Sequence, residues 1–130
     1  MTTYLLDANV LIALSVLEHE HHGRASDWLA NVSSFAVCPV VEGALIRFAL
    51  RIGESTATTA ALLVGVRAHP RCHFWPDDIS YRDVHMADLD GHRQVTDAYL
   101  ADLAAAHSSR LATFDESLIA LRPAVTLAIP

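Results

Sequence analysis

The chain has 130 residues, a formal charge of −6 and no lysine, all nine basic residues being arginine. That length suits one domain, residues 1–130, burying roughly two-thirds of its unfolded surface; the negative charge excludes a general nucleic-acid coating protein but not a nuclease holding metal ions. The missing lysine excludes a P-loop and a Schiff-base enzyme, and the 52% hydrophobic share means either a large core or apolar surface kept for a partner.

In chain order, residues 3–6 predict a strand that ends at Asp7. Residues 8–17 are apolar nearly all round and predict a buried helix. Residues 21–32 predict an amphipathic helix, with Ala25, Trp28 and Leu29 at helical spacing. A short apolar strand follows at 35–38, closed by Pro39. Residues 40–51 predict a helix stopped by Gly53, and Ser55 caps another that runs to about Val66. A brief strand at 73–75 precedes the turn Pro76-Asp77-Asp78. Residues 80–89 read as helical, and Asp90-Gly91 breaks them. An Ala- and Leu-rich helix at 96–107, a strand at 110–113, a short helix at 116–121 and a last strand at 125–129 complete the chain. Such alternation predicts an α/β fold with a parallel sheet covered on both faces. Ligands of such sheets bind beyond the carboxyl ends of the strands.

Cys38 and Cys72 are far apart in sequence and match no metal spacing. Cys38 is expected in the core, within the second strand. No signal peptide or membrane-spanning run is evident, so the expected compartment is the cytoplasm, with both thiols reduced.

Two acids end strands: Asp7 in L-L-D-A-N-V-L and Asp115 in L-A-T-F-D. Two more stand at helix starts facing the same edge: Glu42 after the second strand, and Asp97 before the Asp115 strand. Four carboxylates there repel one another. Divalent cations relieve the repulsion, and Mg²⁺ needs only a few protein oxygens because it keeps several waters. Such ions can activate water against a phosphodiester. Asn9 and Thr113 flank the acids and can orient them. Each acid also has a plainer use. Asp7 and Asp115 can cap helices, Asp97 can face its own helix dipole, and Glu42 can be a solvated helix residue.

L-L-D-A-N-V-L-I-A-L, V-V-E-G-A-L, V-T-D-A-Y-L-A-D-L-A and R-L-A-T-F-D together resemble the PIN domain, and most of all the VapC toxins of type II toxin–antitoxin pairs. The resemblance runs from Tyr4 to the C-terminus. It implies a three-layer α/β/α fold with a five-stranded parallel sheet, and endoribonuclease activity dependent on Mg²⁺ or Mn²⁺. It further implies a homodimer and a cognate VapB-like antitoxin. Asp7, Glu42, Asp97 and Asp115 fall on the family's acidic positions, Asn9 and Thr113 on its accessory ones. Residues 55–90 match nothing specific and are expected to bear on the choice of RNA.

Other residues admit two readings. His19, His21 and His22 form either a solvated loop with some RNA contact or, less in keeping with their spacing, a zinc site. Arg47, His92 and Arg93 are candidate RNA contacts or plain helix surface, as is Arg51. Tyr99 reads as a core residue. Two alternative functions stand beside the ribonuclease. A phosphatase of the HAD type would make Asp7 a nucleophile, but Asn9 stands where it wants a second Asp, and its lysine is absent. A catalytically silent RNA- or protein-binding module would have no use for four intact acids.

Overall fold

The computed structural model describes residues 2–130. Strand β1 (Thr3–Leu6) leads directly into helix α1 (Ala8–Ser15). Asp7 holds the junction with extended backbone, and its carboxylate accepts the Ala8 N–H. Helix α1 stops two residues short of the expected end, and Leu17 stands 74% exposed. Apolar residues alone carry no stop signal. Here a tertiary contact supplies it: the His22 ring Nδ1 lies 2.8 Å from the Ala13 carbonyl, which is one of the groups a helix end leaves unpaired.

Helix α2 (His22–Ala30) packs on α1 and leads to strand β2 (Ser34–Val37). Cys38 is not in the strand as expected; it is the fully buried residue before helix α3 (Pro39–Arg51). Burial pushes its thiol up to about 11, so it is an inert core group. Pro39 takes the first helical turn, where its missing N–H costs nothing. Gly53 ends α3 at φ +94°, a conformation that suits a residue without Cβ. Ser55 caps helix α4 (Thr56–Ala68) by accepting the Thr58 N–H, and strand β3 (Cys72–Phe74) follows.

The second half comprises helix α5 (Val95–Ala106), strand β4 (Leu111–Thr113), helix α6 (Glu116–Leu121) and strand β5 (Thr126–Ala128). The five strands form one sheet in the order β3-β2-β1-β4-β5, every neighbouring pair parallel. This is the expected α/β architecture. The right-handed crossover rule places α1 to α4 on one face and α5 and α6 on the other. Leu5, Leu6, Ala36, Val37, Leu111 and Ala112 are all fully buried, as strands covered on both faces require. Strand order reverses between β1 and β4. That is the switch point at which open α/β sheets form their crevice.

The expected helix at 80–89 does not form. Only Tyr81–Asp83 makes a single 3₁₀ turn. Side chains from elsewhere take up the segment's backbone groups instead. Arg122 Nη2 donates to the His85 carbonyl at 2.6 Å and the His85 N–H donates to Asp102 at 2.8 Å, while just before the segment the Tyr99 hydroxyl donates to the Ile79 carbonyl at 3.0 Å. Just upstream, Trp75 stacks on His107 at 4.0 Å with rings nearly parallel. Among the described residues, no helix is long and apolar enough to cross a membrane.

Candidate active site

The carboxyl ends of β1 and β4 lie side by side, and Thr113 ties them together. Its fully buried hydroxyl donates to Asp7 Oδ2 at 2.7 Å. It accepts from the Asn9 amide at 3.3 Å and from the Asp115 N–H at 3.0 Å. One donor and two lone pairs are thereby all used. Asn9 completes the frame by accepting the Phe114 N–H at 3.4 Å. Asp7, 5% exposed, has one oxygen on the Ala8 N–H and the other on Thr113.

Asp115 caps α6. Its Oδ1 accepts the Ser117 N–H at 2.9 Å, the Ser117 hydroxyl at 2.6 Å and the Leu118 N–H at 3.2 Å. None of these contacts uses Oδ2. Capping and site membership are therefore compatible at both strand ends. The strand-end pattern of acids does not mark Ser117. The signal available was its place two residues after a helix-capping Asp.

Asp97 lies half-buried in the first turn of α5. Burial, then the charges of Asp7 and Asp115, push its carboxyl up to about 6. Asp7 is also raised, by burial first and with Asp115 adding, against the lowering effect of Thr113 and the Ala8 N–H. The three acids thus share one electrostatic field. Among the described residues no Arg or His forms an ion pair with any of them. They do not form a closed coordination sphere, since no three His, Cys, Asp or Glu side chains among the described residues converge that tightly.

Glu42 stands apart from this trio. It occupies the first turn of α3, 3.5 Å from the Arg67 guanidinium of α4. Among the described residues its buried Oε2 has no hydrogen-bond partner. Arg67 in turn lies over the Phe74 ring at 4.3 Å. Nothing local in the sequence links Glu42 to a residue 25 positions on; the sheet order and the rotation of α4 bring them together.

Arg47 is exposed on α3, its tip near Gly43, and Arg51 lies over the Phe48 ring. His92 and Arg93 are exposed in a 3₁₀ turn that leads into α5. Tyr99 is buried, as expected. The three clustered histidines separate. His22 turns inward to α1, while His19 and His21 lie together toward Phe114.

A family model, the PIN domain, matches residues 4–122. The chain is 50% identical to ribonuclease VapC29 of Mycobacterium tuberculosis over 129 residues, 98% of this chain and 97% of that protein. It is 36% identical to ribonuclease VapC39 of the same organism, over 89% and 91% of the two chains. Among solved structures, M. tuberculosis VapC20, described as a Sarcin-Ricin loop cleaving toxin, superposes with a TM-score of 0.74 at 14% identity, over 98% and 100% of the chains. VapBC2 from Rickettsia felis, bound to a DNA fragment from its promoter, gives 0.71 at 13%, over 99% and 100%. These two likenesses concern the fold alone. The family match and the two ribonuclease relatives agree, and the chain belongs to the PIN-domain family, among the VapC-type ribonucleases.

Proposed function

We propose that this chain is a divalent-metal-dependent endoribonuclease, the toxin of a VapBC-like toxin–antitoxin pair, working through Asp7, Glu42, Asp97 and Asp115. The carrying observation is the trio of acids at the strand switch point, none of which forms an ion pair among the described residues. PIN-domain ribonucleases are generally divalent-metal dependent, and the donors fit such an ion. Carboxylate oxygens are the hard ligands Mg²⁺ takes, and an ion that keeps several waters needs no closed protein sphere; Mn²⁺ suits the same oxygens. Asp7, Asp97 and the uncommitted oxygen of Asp115 would hold it. When bound, the ion supplies Lewis acidity and a water of lowered pKa for attack on a phosphodiester.

The remaining work falls to the chain's own groups. Thr113 aims Asp7 by donating to Oδ2 and favours its anion against the effect of burial, and Asn9 fixes Thr113. Glu42 joins the trio from the β2 side by exchanging its Arg67 contact. Arg47, His92 and Arg93 serve as phosphate contacts around an otherwise acidic pocket. Thr113→Val should keep the volume but strand Asp7 Oδ2 and the Asn9 amide. We expect cleavage to fall roughly 10- to 100-fold, with a stability loss of about 1–3 kcal/mol. Single-turnover kinetics and thermal unfolding measure the two. An unchanged rate would remove Thr113 from the machinery.

The apolar surplus of the sequence has a counterpart on the surface. Leu50 in the last turn of α3, Ile52 just after it and Val64 on α4 are 43%, 51% and 68% exposed. Exposed apolar groups gathered on neighbouring elements suit an interface. The proposed partners are a second copy of the chain and a cognate antitoxin, in the cytoplasm where the RNA is. A basic antitoxin segment entering the acidic pocket would block cleavage.

The phosphatase reading lacks its residues: Asn9 stands where a second Asp is wanted, and the chain has no lysine. The deciding experiment is incubation with total RNA. Cleavage with Mg²⁺, loss in EDTA and recovery on adding Mg²⁺ back are expected. Full activity in EDTA would overturn the metal-dependent reading, and no cleavage under any divalent ion would favour a silent binding module.

A further inference from the structure

Phe114 lies between Thr113 and Asp115, and its N–H is held by Asn9. Its ring packs against His21 at 5.0 Å between centroids, and His21 packs against His19 at 5.7 Å. The other partner of the Phe114 ring is Arg24, whose guanidinium carbon is 4.8 Å from the centroid. A ladder of three rings therefore starts one residue from an acid of the site and runs outward to the loop between α1 and α2.

Its members have definite anchors. His19 Nδ1 accepts the His21 N–H at 3.1 Å, so its other ring nitrogen faces away from that contact. His21 Nδ1 lies 3.3 Å from Arg24 Nη1, and its Nε2 is 3.5 Å from Glu20. Arg24 donates from Nε to the Pro130 carbonyl and from Nη2 to the Ile129 carbonyl, each at 3.0 Å. These bonds commit Arg24 to positioning Phe114 and the last residues rather than to gripping a phosphate. The His21 side chain is still 34% exposed, and His19 and Phe114 are only partly buried. Anchored, partly exposed rings are a platform.

We propose that His21, with Phe114 behind it and His19 beside it, is a stacking shelf for a nucleobase next to the scissile phosphate. This rests on the ribonuclease reading. A base lies one sugar away from the phosphate it flanks, and Phe114 adjoins Asp115 in the chain, the two backbone N–H groups being held by the same Asn9–Thr113 frame. The shelf also answers a physical need. A chain of charge −6 with an acidic pocket gains less from phosphate attraction than a basic one does. Stacking on aromatic and imidazole faces supplies affinity without countercharge, and it reads unstacked, single-stranded bases.

The test has two arms, both on the full chain with Mg²⁺. In the first, a short randomised single-stranded oligoribonucleotide is bound to the Asp97→Asn chain, with and without a second change at His21. His21→Ala should weaken binding about tenfold, and His21→Tyr should restore most of it, because a ring suffices for stacking. In the second arm, His21→Ala alone should raise KM for RNA with kcat largely kept. His19→Ala, at the outer end of the ladder and with less to disturb in the fold, should act in the same direction more weakly. Unchanged affinity and KM in both alanine variants would overturn the shelf. So would a tyrosine variant as weak as the alanine one. These failures differ from failure of the ribonuclease reading, in which the unmodified chain itself neither cuts RNA nor responds to Mg²⁺.

Discussion

Asp97→Asn should lower RNA cleavage roughly a thousandfold and, without metal, make the folded chain more stable. The two effects share one cause. Asp97 is held half-buried beside Asp7 and Asp115, which raises its carboxyl to about 6. A raised carboxyl means the folded state disfavours the anion. The stability it contributes is fully present below the unfolded value of 3.8 and is lost as pH rises through about 6. In metal-free protein the melting temperature should therefore climb as pH falls from neutrality toward 4. Asn carries no charge, so the variant should show a shallower climb and a higher melting point at neutral pH. Mg²⁺ binding to the folded state stabilises it by mass action. That gain should be clear in the unmodified chain and reduced in Asp97→Asn. Melting curves across pH, with Mg²⁺ or with EDTA, give all three readouts. Equal metal responses in the two chains would place the ion elsewhere.

Arg122→Met should cost about 3 kcal/mol of stability, a fall of roughly ten degrees in melting temperature. The Arg122 guanidinium is 8% exposed. It donates to the Asp88 carboxylate and the His85 carbonyl, and lies 3.7 Å from Asp102. Removing it leaves two carboxylates without countercharge and a carbonyl without its donor. The estimate sits at the low end of the range for broken buried pairs because Asp88 is a third exposed. Arg122 also clamps the segment that leads into α5, so activity should decline along with stability. Combining Arg122→Met with Asp88→Asn and Asp102→Asn should recover much of the loss, since the stranded charges go too. A single variant that melts within a degree of the parent would show that the cluster stabilises nothing.

Much of this protein is written in short stretches of its sequence. The alternation of apolar strands with periodic helices predicts the parallel α/β sheet, because burial on both faces demands continuous apolar strands. Asp7 and Asp115 are legible as strand-end acids because a strand's end is a local feature, and Ser55 and Gly53 are legible as helix punctuation for the same reason. Tertiary structure alone decided which strand ends are neighbours. The β3-β2-β1-β4-β5 order sets β4 against β1, and only then can the Thr113 hydroxyl reach a carboxylate 106 residues earlier. The same holds for Glu42, which a helix packing places against Arg67, and for the neighbouring histidines, of which His22 faces α1 while His21 faces Phe114. Residues 80–89 carry a helical pattern, yet Asp102 and Arg122 take up the backbone N–H and carbonyl of His85 instead. Periodicity records which face is buried. Partners distant along the chain are chosen by sheet order, helix rotation and the satisfaction of buried polar groups, none of which a local window contains.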